Sequence, residues 1–286
     1  MQQLSLLIVM LAALIIPIIM ARFKVSSIPT AIAEILTGII LGKSFFNIVN
    51  PNWTLNFLSS LGVIMLMFLS GMEINFDLFR KTPGKKRDSK SPVIMASQAF
   101  GLIVVSSFVI ALIISRLHLF SDILLATIIF STVALGVVIA TLKEKDILQK
   151  PVGQTLLLTA VLGEVVPMLA LTFYASINGG NAKRLGLIVF LFLAAFFLLR
   201  RFKQPFIWFN KISKSTTQLD IRLAFFLIFA LVTIAETVGA ENILGAFLAG
   251  MVMKLLEPSE ATEDRLNSIG YGFLIPFFFI LSLIHI

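Results

Sequence analysis

The residue best suited to do chemistry is Glu164, an acid inside the apolar stretch 153–177, GQTLLLTAVLGEVVPMLALTFYASI. A carboxylate near a bilayer midplane costs roughly 2.5 kcal/mol or more on insertion scales, so its presence marks a route for an ion or a proton. Just upstream, residues 123–142 (ILLATIIFSTVALGVVIATL) have a centre of small and hydroxyl-bearing residues at Ser131, Thr132, Ala134 and Gly136. A weak helix beside a buried acid is how membrane transporters assemble a cation site. The competing reading of Glu164 is a buried acid paired with a lysine.

These residues need a frame, and the composition says which kind. Of 286 residues, 58% are hydrophobic and 13% charged. A soluble domain of this length cannot hide that much apolar surface, whereas a bilayer solvates it. The apolar runs are continuous rather than alternating, which excludes a β-barrel and predicts an all-α polytopic membrane protein. Ten spans are expected, at about 3–20, 28–42, 55–75, 93–115, 123–142, 154–177, 185–199, 221–238, 242–256 and 268–280. With no cysteine in the chain, disulfides, thiolate metal sites and thiol nucleophiles are out.

A net charge of +8 raises the question of nucleic acid, but the charge is distributed by topology. Nineteen of the 23 Lys and Arg residues fall on one side of this span order, including Arg80 to Lys90, Lys143, Lys145, Lys150 and Arg200 to Lys214. Lys43, Arg116, Lys183 and Arg184 remain for the other side. The positive-inside rule makes the first side cytoplasmic and places the N-terminus outside, in a cell membrane. The first span has no small-residue cleavage site before Arg22 and reads as a retained helix. The run 81–90, KTPGKKRDSK, is a topology determinant that can also touch anionic membrane lipid.

Several motifs resemble those of the monovalent cation:proton antiporter 2 family, the Kef and Nap types. They are Ile28-Pro29 with 33–42 (AEILTGIILG), Leu61-Gly62 with 66–73 (LMFLSGME), and Glu236-Thr237-Val238-Gly239 with 244–250 (LGAFLAG). The resemblance covers residues 1–280. It implies a sodium/hydrogen exchanger-type transmembrane domain of thirteen helices with a broken crossing helix, of which about ten are present. The family's second broken helix and its intramembrane basic residue would follow, and some members add a soluble nucleotide-binding domain. The last six residues, 281–286 (LSLIHI), match the translation of a transposon-end sequencing adaptor, so the chain is expected to be a C-terminally truncated fragment. On that reading His285 carries no chemistry and His118 is the remaining histidine.

An internal echo points the same way. Residues 35–42 (ILTGIILG) and 243–250 (ILGAFLAG) are alike, and each is followed by a related segment, 60–71 (SLGVIMLMFLSG) and 268–280 (SIGYGFLIPFFFI). Spans two and nine differ by an odd number, so the two units would run in opposite directions, the inverted repeat of secondary transporters.

In the family a broken helix precedes a helix bearing a polar-acid pair, and here that pair falls on Gly163-Glu164. The resemblance makes Glu164 the shared cation and proton site. It makes Ser131 and Thr132 candidate oxygen ligands, though hydroxyls in membrane helices also serve as packing and back-bonding groups. Glu stands where Asp is usual, and Gly163 replaces the first polar partner, so one negative charge is available. That predicts electroneutral exchange.

Glu34, Glu73 and Glu236 are secondary polar groups within or near spans. Glu73 is placed to attract cations at the inner end of span three, with interfacial solvation explaining it equally well. Glu34 and Glu236 fit hydrogen bonding between helices. Pro29, Pro167 and Pro276 are kinks that a membrane tolerates.

The reading is therefore a secondary antiporter exchanging Na⁺ or K⁺ for H⁺ by alternating access. It has no cofactor, no metal beyond the transported cation and no nucleic-acid partner, and the resemblance implies a homodimer. A ten-span sodium-coupled symporter of related fold and a non-transporting sensor or scaffold are the alternatives. Enzymes of the bilayer need paired aspartates, a Ser/His pair or a His-rich metal motif within the spans, and none occurs.

Overall fold

The structure is a computed structural model and describes residues 2–23, 28–43, 45–74, 91–178, 217–237 and 241–284. The described residues form helices and their connections. They are α1 (Gln2–Arg22), α2 (Thr30–Leu41), α3 (Trp53–Met72), α4 (Pro92–Arg116), α5 (Ile123–Phe130), α6 (Leu135–Glu144) and α7 (Pro151–Asn178). Then follow α8 (Leu219–Thr237), α9 (Asn242–Leu255), α10 (Glu260–Ile269), a π-helical turn (Gly270–Leu274) and α11 (Ile275–Ser282). By length and composition, six helical stretches are able to cross a membrane: 3–22, 53–72, 92–116, 123–144, 151–171 and 260–282. Helices α2 and α9 are shorter apolar helices. The expected span 185–199 lies outside the described residues, as do the run 81–90 and His285.

Local chemistry sets the helix starts. Asn52, Ser91, Asp122 and Ser259 each accept a hydrogen bond from the amide three residues on, at Leu55, Ile94, Leu125 and Thr262, with lengths of 2.9 to 3.4 Å. Such caps satisfy amides that the first turn leaves without a partner. Pro92 opens α4, where its missing N–H costs nothing. One boundary differs from the sequence reading by more than a helical turn. The final helical stretch begins at Glu260, not at 268, because Ser259 caps it and Glu260 and Glu263 favour its N-terminal dipole.

The chain divides into two compact units. In the first, α1 to α3 and α8 to α11 pack together, with α3 at the centre: residues 65–72 of α3 are all buried. Glycines bring these helices close. A Cβ on Gly250 would strike the Phe68 carbonyl, and one on Gly71 would strike that of Phe247, which is why α9 lies tight against α3. Gly38 and Gly42 play the same part for α2, against the carbonyls of Ile280 and Ile284. Small residues at such crossings let backbones approach and gain van der Waals contact, the main attraction between helices in lipid. Val9 and Ile16 of α1 join Leu55, Phe277, Ile280, Leu281 and Ile284 in one buried cluster.

The second unit holds α4 to α7. Here α4 packs on α5 and α7, and α6 packs on α7. The stretch 123–142, expected as one span with a break at Ser131-Thr132, is two helices, α5 and α6, separated by the non-helical residues 131–134. Ser131 is the C-cap of α5 and Ala134 precedes α6. The sequence Ser-Thr-Val at this point disfavours a continuous helix, through side-chain competition for backbone bonds and β-branching.

Candidate ion-binding site

The break in the α5–α6 element is docked on α7 by two backbone amides. Val133 N–H donates to the Gly163 carbonyl at 2.9 Å. Leu135 N–H, the first amide of α6, donates to Glu164 Oε2 at 2.8 Å. Both acceptors are adjacent residues of α7, and the sequence of α7 explains why each is available.

Pro167 lies four residues after Gly163 inside α7. Having no amide hydrogen, it cannot close the helical bond to the Gly163 carbonyl, and that carbonyl is left for Val133. Gly163 is buried, and a Cβ there would sit 2.5 Å from Val133 Cγ2 and 2.8 Å from Val133 Cβ. The glycine is therefore the space that admits the unwound chain. The second polar side chain that the family pattern puts here would occupy the volume Val133 fills.

Glu164 is half-buried. Its carboxylate takes a bond from the leading amide of α6, a helix end that carries partial positive charge. A carboxylate so held is oriented toward the break, where a cation could share it with backbone oxygens.

Ser131 and Thr132 sit at the break itself. Ser131 is buried and its Oγ donates to the Ile128 carbonyl at 2.9 Å; Thr132 is exposed and its Oγ1 donates to the Ile129 carbonyl at 2.7 Å. Both hydroxyls thus back-bond to their own helix end and keep lone pairs for a ligand. The structure brings Ser131, Thr132 and Glu164 to the same junction of the second unit.

The secondary acids lie in the first unit. Glu34 is buried within α2. Glu73 is the C-cap of α3 and is half-buried. Glu236, in the last turn of α8, accepts a 2.7 Å bond from Asn242 Nδ2 at the start of α9.

Sequence reasoning missed three groups. Val133 and Leu135 act through backbone amides, which leave no side-chain signature. Tyr174 donates its hydroxyl to Asp122 Oδ2, joining α7 to the start of α5. Asp122 was legible as a cap before an apolar run, whereas no sequence pattern singles out Tyr174.

An acid presented at a helix break in a polytopic helical membrane protein is the kind of arrangement secondary transporters use to hold a cation. The chain belongs to the sodium/hydrogen exchanger transmembrane family, whose family model matches residues 9–284. It is 41% identical over 292 residues to "Putative Na(+)/H(+) antiporter YjbQ" of Bacillus subtilis (strain 168), covering 97% of this chain and 46% of that protein. It is 26% identical to a Na(+)/H(+) antiporter of Enterococcus hirae, covering 88% of this chain and 66% of that protein. It is 22% identical to the Na(+)/H(+)-K(+) antiporter GerN of Bacillus cereus, covering 88% and 64%. The chain thus spans just under half of the Bacillus subtilis relative. These relatives are named as transporters, not enzymes.

Proposed function

We propose that this chain forms the carboxylate-bearing part of a secondary antiporter that exchanges Na⁺ or K⁺ for H⁺ by alternating access. The observation that carries the reading is the Glu164 carboxylate held at the α5–α6 break by the Leu135 amide. When ionised, Glu164 accepts a cation together with Ser131, Thr132 and the backbone oxygens near them. When protonated, it has no net charge to offer a cation, so the two substrates compete for one group. Desolvation makes a bare carboxylate costly, which favours occupancy by one or the other during the crossing.

With Gly163 beside it, the site has a single acid, and exchange is one cation for one proton. Flux in proteoliposomes then responds little to membrane potential; a strong response would contradict the one-for-one count. The relatives' names support Na⁺ and, for GerN, K⁺ as candidate cargo. The sodium-coupled symporter predicts cation uptake that carries no opposing proton, and this separates it from the antiporter in the same vesicles.

The same reading takes the complete domain as an inverted repeat of more spans than the six described long stretches. The packing of the first unit supports it. A Cβ on Gly62 would strike the Leu274 carbonyl, and one on Gly270 would lie 2.6 Å from Leu69 Cδ1, so each of the two related segments packs a glycine against the other. The proposal extends to a homodimer in a cell membrane with the N-terminus outside, and to 281–286 as adaptor-derived sequence. Sequencing the gene from source DNA across codon 280 tests the last point.

A further inference from the structure

We propose that Tyr174 is a positioning residue for the cation site: by holding Asp122 at the head of α5, it fixes where the tail of that short helix meets Glu164. The inference rests on the antiporter reading and adds a residue which neither the family motifs nor the sequence pattern picks out.

Helix α5 has eight residues, about 12 Å of chain. A helix this short is not stable by itself, so its place is set by its packing on α4 and α7 and by what holds its two ends. At the tail, the break that begins at Ser131 is docked on Gly163 through Val133. At the head, both carboxylate oxygens of Asp122 are committed. Oδ1 accepts the Leu125 amide at 2.9 Å, capping α5, and Oδ2 accepts the Tyr174 hydroxyl. Gly163 and Tyr174 are eleven residues apart, close to three helical turns, and so share a face of α7. One face of α7 thus grips α5 at both ends.

The Asp122 carboxyl is held below its ordinary value of 3.8, first by the Leu125 amide and then by Tyr174, against a smaller opposing effect of burial. The strap is therefore a phenol bonded to a carboxylate throughout neutral pH, a stronger bond than one between neutral groups. A tyrosine near a membrane surface is often an interfacial anchor. The bond to the residue that caps a half-helix distinguishes Tyr174 from that role, and replacement by Phe separates the two.

The experiment uses the complete gene product. Na⁺-driven proton flux is measured in proteoliposomes, with K⁺ in parallel, and the Na⁺ dependence of the thermal unfolding midpoint is measured in detergent. Tyr174→Phe keeps the ring and removes the bond. It is expected to raise the Na⁺ KM, and the Na⁺ midpoint of the thermal shift, by about tenfold while the maximal rate stays within about twofold. Asp122→Asn keeps the cap and can bond the phenol oxygen, so it stays within about threefold of wild type. Asp122→Ala loses both and is at least as impaired as Tyr174→Phe. A merely structural Tyr174 would lower yield and maximal rate without moving KM.

An unchanged KM in Tyr174→Phe, or an Asp122→Asn protein as impaired as Asp122→Ala, overturns the proposal. If Glu164→Gln abolishes exchange while Tyr174→Phe leaves KM unchanged, only this inference falls. If Glu164→Gln retains exchange, or neither cation drives flux in wild type, the antiporter reading falls and takes this one with it.

Discussion

The amide of Val133 donates to the carbonyl of Gly163 at 2.9 Å, across two elements thirty residues apart. That bond exists because Pro167 cannot use the same carbonyl and because Gly163 has no side chain to keep Val133 away. Three residues of α7, Gly163, Glu164 and Pro167, thereby form one device: space, carboxylate and vacant carbonyl.

Filling the space tests the first part. Gly163→Ala places a methyl group 2.5 Å from Val133 Cγ2, and overpacking of this kind costs about 1 to 3 kcal/mol. The variant is expected to unfold at lower temperature and to bind Na⁺ more weakly. Adding Val133→Gly, which removes both Cγ2 and the Cβ 2.8 Å away, should recover part of both losses; a double variant as impaired as Gly163→Ala would show that crowding is not the cause.

Restoring the missing donor tests the second part. Pro167→Ala gives α7 an amide for the Gly163 carbonyl, and removing an interior proline is worth up to about 3 kcal/mol to a helix. Thermal stability should rise while exchange slows, since α7 then competes with Val133. Faster or unchanged exchange with a raised unfolding temperature would count against the docking role.

The Asp122–Tyr174 strap has a pH signature. A carboxyl whose folded value is depressed contributes stability above its unfolded value, and loses it as pH falls through the folded one. With Asp122 held below 3.8, the contribution is constant through neutral pH and fades only below about pH 4. The unfolding temperatures of wild type and Tyr174→Phe should differ by a fixed amount from about pH 5 to 8 and converge in stronger acid. A difference that varied across neutral pH would point to another group.

In the first unit, Thr262 donates to Asp220 Oδ2 at 2.7 Å, and both side chains are buried. Arg265 stands 3.6 Å from the same oxygen and donates to Gln218 at 2.8 Å. These contacts tie the start of α8 to α10. Thr262→Val removes a bond to a buried carboxylate, a loss of about 2 kcal/mol. A lower unfolding temperature with an unchanged Na⁺ KM is the expected result, and a shift in KM would assign the cluster a part in transport.

Much of this was legible in the residues. Glu164 announced itself because a carboxylate in an apolar run is costly, and the break was foreshadowed by Ser131, Thr132 and Gly136. The rest was hidden for a physical reason. The partners of Glu164 and Gly163 are backbone amides, and any residue but proline supplies one. Pro167 read as a tolerated kink because its effect lies in the carbonyl it leaves open, four residues away and on another residue's account. The charged first half of the last helical stretch, from Glu260, lies outside the apolar run 268–280 because its residues are polar, and its start is marked by the cap at Ser259. Within 281–286, Leu281 and Ile284 pack into the buried cluster with α1.

The central claim is that Glu164 is the group for which cation and proton compete. The most direct measurement is counterflux of Na⁺ and H⁺ through the complete gene product in proteoliposomes, wild type against Glu164→Gln. The amide matches the carboxyl in size but neither ionises nor exchanges a proton, so both fluxes should fall to the level of empty vesicles while the protein remains folded. Sustained coupled flux in Glu164→Gln would contradict the account and move the site elsewhere.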